Sequence, residues 1–97
     1  MAILAIEVKL DKGASEPFVA IDHKPVAIDN DGKGTLPVTG NRGDGSNKDL
    51  IVSFRGVNGA TLGITISCAG DTLCEIKALT IWPSNEPFGG SHRTFKL

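Results

Sequence analysis

The chain has 97 residues, 40% of them apolar and 22% charged, with 12 glycines and 5 prolines. That is enough for one turn-rich domain over residues 1–97, which needs neither metal nor disulfide to fold. Its formal charge of −1 offers no electrostatic excess for phosphates, so nucleic acid is not an expected partner. No apolar run approaches the roughly 20 residues of a membrane helix, so no membrane insertion is expected. "MAILAIEVKLDKG" also lacks the basic and long apolar regions of a signal peptide. The expectation is a cytoplasmic chain, or a secreted one if a leader has been removed.

The first element is the clearest. In "ILAIEVKL", Leu4, Ile6, Val8 and Leu10 alternate with Ala5, Glu7 and Lys9, as in a strand with one buried and one wet face. "PFVAIDHKPVAID" is rich in β-formers, but Pro25 cannot donate to a ladder. It is expected as two short strands or one bent edge strand. Next come a turn at Asp29 to Gly34, an extended piece "TLPVT", and a loop from Gly40 to Lys48. This makes a connection of some fifteen to twenty residues, for which disorder is expected between Gly40 and Lys48.

"DLIVSFR" predicts a strand over Asp49 to Arg55, closed by a turn at Asn58-Gly59. The hairpin from Thr61 to Trp82 is registered by setting Cys68 opposite Cys74, which pairs Ile66 with Ile76, Ile64 with Ala78 and Leu62 with Thr80. That register leaves Gly63, Leu79 and Ile81 on the polar face, a conflict that a bulge near Lys77 to Leu79 or burial of both faces would resolve. A final strand, "HRTFKL", turns Phe95 and Leu97 inward. No window shows a sustained 3.6-residue period. The expected fold is all-β: a small antiparallel β-sandwich of Ig-like or jelly-roll type, with six to eight short strands and little or no helix.

Few residues suggest chemistry. Asp29 and Asp31 are candidate calcium ligands, with Asp44 and Asp49 across the loops, but the EF-hand pattern fails because Lys33 and Gly40 stand where ligands belong. Asp and Asn here also serve simply to brace turns. Arg42-Gly43-Asp44 matches an adhesion tripeptide that is too short to be specific. A Cys68–Cys74 disulfide is feasible but not required, and buried thiols are the favoured expectation in a reducing compartment. With two histidines, no tyrosine, no G-x-S-x-G elbow and no phosphate loop, catalysis is not expected and no cofactor is implied.

The stretch "TIWPSNEPFGGSHRTF" is the best recognition candidate. Trp82, Asn85, Glu86, Phe88, His92 and Arg93 set aromatic faces beside polar groups in a segment stiffened by Pro and Gly. The competing reading has Trp82 closing one end of the core beside Ile76 and Ala78. The primary functional expectation is a non-catalytic protein-interaction or assembly module, with self-association through an exposed edge such as "DLIVSFR" and its Ile51. The alternatives are a carbohydrate-binding, lectin-like domain, calcium-assisted at Asp29 and Asp31, and then a small hydrolase or thiol redox protein.

Overall fold

The computed structural model describes every residue from Met1 to Leu97. Eight strands form in chain order, with no helix: β1 (Ala2–Asp11), β2 (Ser15–Ile21), β3 (Lys24–Pro25), β4 (Lys33–Val38), β5 (Asn47–Arg55), β6 (Thr61–Cys68), β7 (Asp71–Thr80) and β8 (Phe88–Lys96). They make two antiparallel four-stranded sheets packed face to face: a front sheet ordered β4-β1-β6-β7 and a back sheet ordered β3-β2-β5-β8.

Period-two alternation supplies the core. Leu4, Ile6 and Val8 of β1 and Leu62, Ile64, Ile66 and Cys68 of β6 face Val19 and Ile21 of β2, Leu50, Val52 and Phe54 of β5, and Phe95 of β8. Each such large apolar side chain withdrawn from water contributes about 1.5–3 kcal/mol. Phe95 and Leu97 are buried as expected, but Leu10 is 40% exposed although its cross-strand partner Leu62 is fully buried. One charged side chain is buried. The Lys48 ammonium caps the core beside the β4–β5 loop, donating to the Thr39 carbonyl at 3.0 Å and lying 3.5 Å from Asp22 Oδ2.

One sequence expectation narrows and two change. First, "PFVAIDHKPVAID" makes two strands, β2 and β3, the first of the two forms expected, joined by Asp22 and His23, both at positive φ, the signature of a tight two-residue hairpin turn. Second, β5 is not an edge: it lies between β2 and β8, so Asp49 to Arg55 cannot serve as an edge for self-association. Third, the β6–β7 register differs. A two-residue turn at Ala69 and Gly70, again both at positive φ, sets Cys68 opposite Asp71 rather than Cys74.

In the observed register Ile66 faces Cys74 and Ile64 faces Ile76, and β7 absorbs the offset in two irregularities. One of them inserts an extra residue around Lys77 and Ala78, where the polar-face conflict called for a bulge. It returns Ile81 to the core, where it is fully buried. The long connection after β3 is also shorter than expected. "TLPVT" belongs mostly to β4, which pairs along β1 and divides the connection into two shorter ones, Val26 to Gly32 and Thr39 to Ser46.

A candidate binding face

The two outer faces differ in kind. That of the front sheet is mostly polar and small, carrying Ala5, Glu7, Lys9, Thr35, Thr65 and Ser67, as expected of a sheet face turned to water, with one exposed apolar residue, Ile3, beside Pro37 at its end. The outer face of the back sheet breaks this rule. Phe18, Ile51 and Phe88 are exposed there to 45%, 36% and 57% of their surface.

Cross-strand register assembles them. Phe18, Ser53 and Gly90 form one row across β2, β5 and β8; Ala20, Ile51 and His92 form the next; Arg55 pairs with Phe88 beside them. The two phenylalanines thus stand on the strands either side of β5, on the order of 10 Å apart across two strand spacings, over a low floor of Ser53 and Gly90. Gly90 is required on steric grounds, since a Cβ would come within 2.7 Å of the Val52 carbonyl oxygen.

Charged groups rim this strip. Arg55 lies 3.5 Å from Glu16 and carries its guanidinium 5.1 Å from the centre of the Phe88 ring; His92 Nε2 is 3.6 Å from Asp49 Oδ1. Glu16 sits at a bulge in β2 with φ of 53°, uncommon for a non-glycine residue. The inserted residue sets the parity that places Val19 and Ile21 inside and Phe18 outside. Strained backbone of this kind concentrates at functional surfaces.

The six candidates from "TIWPSNEPFGGSHRTF" are divided by the structure. Phe88 and His92 share the outer face. Arg93 has the opposite parity, opposite Leu50, and projects from the sandwich rim with its Nε donating to Ser91 Oγ at 3.3 Å. Trp82, Asn85 and Glu86 lie in the loop before β8. That loop is stapled by Gly59 N–H donating to the Ile81 carbonyl, Gly56 N–H to the Pro87 carbonyl, and Asn58 N–H to Glu86 Oε1 at 2.7 Å. Glu86 is therefore committed to holding the loop.

Trp82 does not close the core, as one reading had it: it is 61% exposed and Ile81 takes that place, because the bulge in β7 reverses the parity of the following residues. Phe18, Arg55, Glu16, Ser53 and Gly90 went unnoticed in the sequence. The available signal was the parity of "FVAI", in which Phe18 alternates against Val19 and Ile21.

The other candidates are occupied locally. Asp29 Oδ1 accepts from the Asp31 and Lys33 amides, both at 2.9 Å, bracing the turn into β4. Asp29 and Asp31 border an open hollow of about 510 Å³ walled by Val8, Leu10, Pro17 and Ile28, and no three His, Cys, Asp or Glu side chains converge into a metal-binding group. Cys68 and Cys74 are free thiols. They no longer face each other because the two-residue turn shifts the register, and burial pushes the Cys74 thiol up, against a smaller opposing pull from Arg93.

The Arg42-Gly43-Asp44 loop is ordered, contrary to expectation. Asp44 accepts from the Ser46 hydroxyl at 2.7 Å and from the Ser46 and Asn41 amides, while Arg42 reaches the Leu97 carbonyl and Asp71. The Ser46 hydroxyl first, then the Ser46 and Asn41 amides, lower the Asp44 pKa from 3.8 to about 2. A depressed carboxylate stabilises the fold above its unfolded value, and this contribution is lost as pH falls through about 2. In an NMR titration the Asn41 and Ser46 amides are expected to shift together with a midpoint near 2. Asp44→Asn should abolish that step; a midpoint near 3.8 would show that the carboxylate is not held in this loop.

The largest hollow, about 640 Å³, lies on the front sheet, with Ala5 as floor and Glu7, Asp29, Thr35, Thr65 and Ser67 around it. No protein-family model, curated protein or solved structure matches the chain.

Proposed function

We propose that the protein is a non-catalytic interaction module that docks a protein partner on the outer face of the back sheet. The observation carrying this reading is the exposed strip of Phe18, Ile51 and Phe88, rimmed by Arg55, Glu16, His92 and Asp49. Apolar anchors inside a polar rim are the anatomy of protein interfaces, and aromatic side chains and Arg dominate their energetics.

The test is selection of protein binders by surface display against the native chain and against Phe18→Ser/Phe88→Ser. These positions are exposed, so the double variant should melt within a few degrees of the parent. Binders that recognise the native chain should lose at least about tenfold in affinity for the variant. Binders that recognise both equally would sink the reading.

A second reading rests on the front-sheet hollow. The hydroxyls of Thr35, Thr65 and Ser67 and the carboxylates of Glu7 and Asp29 suit a polyhydroxylated ligand such as a sugar. Saturation-transfer NMR with mono- and oligosaccharides that gave no signal would remove it.

A further inference from the structure

We infer that the open edge of β8 accepts an acidic, extended peptide segment of a partner as a fifth strand of the back sheet. This deepens the interaction-module reading and rests on it.

The four sheet edges are not equivalent. β3 is two residues long, β7 is interrupted by its two irregularities, and β4 carries Pro37 and is crowded where the Ala27 carbonyl crosses Gly34. Short strands, bulges and prolines are how sheets protect their edges. β8 has none of these devices. It runs nine residues in unbroken register along β5, from Asn47 opposite Lys96 to Arg55 opposite Phe88.

The unused backbone groups of β8 can be identified. The Leu97 amide donates back to the Ser46 carbonyl on the β5 side, and the Phe88 amide turns away into the preceding loop. Antiparallel alternation then directs the amides and carbonyls of Gly90, His92, Thr94 and Lys96 away from β5, toward an absent neighbour. These form the template that β-augmentation uses, with main-chain bonds giving affinity and alternate side chains giving choice.

Charge selects the occupant. β8 contains His92, Arg93 and Lys96 and no acid, and neither Arg93 nor Lys96 has a carboxylate within ion-pair distance. A second copy pairing antiparallel through β8 would set these cations against themselves, which cross-strand energetics disfavour. Glutamates at alternate positions of an incoming strand share one face and would instead meet Arg93, and the apolar residues between them would lie on the opposite face and extend the strip at Phe88.

The probe is a short acetylated and amidated peptide of alternating Glu and Val, with its Lys and Val counterpart as control, followed by amide-resolved NMR on the full chain. The Glu peptide is expected to shift the Gly90, His92, Thr94 and Lys96 amides and to protect them from exchange, with affinity falling several-fold as salt rises. Thr94→Pro removes an outward amide without touching the β5 ladder and should weaken binding roughly tenfold. Should that variant not fold, Arg93→Glu/Lys96→Glu serves instead, and should reverse the preference toward the Lys peptide.

Equal binding of both peptides, or binding unaffected by these variants, overturns the inference. Protection of the same amides that grows with protein concentration and no peptide would make a second copy the occupant. Shifts confined to Phe18, Ile51 and Ser53 would overturn the edge site while leaving the binding face standing. Loss of display-selected binding on Phe18→Ser/Phe88→Ser with no peptide response would likewise refute only the edge.

Discussion

Phe54→Ala should destabilise the protein by about 3–5 kcal/mol, the largest single effect anticipated, because it empties the back sheet's inner layer at the end of β5. Phe54 is 1% exposed and directly opposite Gly89 of β8, whose missing side chain leaves room for the ring: a Cβ on Gly89 would lie 2.7 Å from the ring edge and 2.9 Å from Ile81. Ring and glycine are thus complementary, a large residue against none, and no neighbour stands ready to fill the cavity. For a domain of this size the loss should lower Tm by at least about 12 °C. Urea unfolding is the check. A change under about 1 kcal/mol would mean that β8 does not pack over Phe54 as described.

Gly32→Ala should cost about 2–4 kcal/mol, for two reasons that add. Gly32 has φ of 79°, which an L side chain adopts with strain, and a Cβ there would be driven into the Val8 carbonyl oxygen. The residue sits so close because its own carbonyl accepts from the Val8 amide at 2.7 Å, tying the turn before β4 to β1. Gly43→Ala separates the two causes: φ is 91° but nothing lies within 4 Å, so only the conformational cost of about 1–2 kcal/mol remains. Equal midpoints for the two variants in denaturant would exclude the collision.

Strand identity was legible in the sequence, because alternation directly encodes which side chains can face a core. Leu4, Ile6 and Val8, the inward Phe95 and Leu97, the absence of helix and the sandwich class all follow from it. Pairing was less legible. The Cys68–Cys74 register failed because Ala69 adopts a left-handed conformation that its residue type does not advertise, and a two-residue turn displaced the five-residue loop. The place of β5 in its sheet was hidden for another reason. Ile51 looks like an edge residue by exposure, and only long-range pairing with β2 and β8 shows it to be central.

Of the candidate site, Phe88 and His92 could be found from one aromatic-rich stretch. Phe18 and Arg55 could not, since they join it only through sheet order. Glycine content suggests disorder between Gly40 and Lys48 and carries no information about the Asp44 carboxylate that anchors the loop.

Strand order also has a consequence in time. Only β2 with β3 and β6 with β7 are sequence neighbours that pair; β1 finds β6 by matching Leu4 to Cys68, and β5 must await β8. Sandwiches dominated by such distant pairings fold on the order of milliseconds to seconds, slower than chains built from local contacts. During that interval Ala2–Asp11 has only the six residues of β4 to lean on until Thr61–Cys68 arrives, so the most regular strand in the chain is among the last to be secured on both sides.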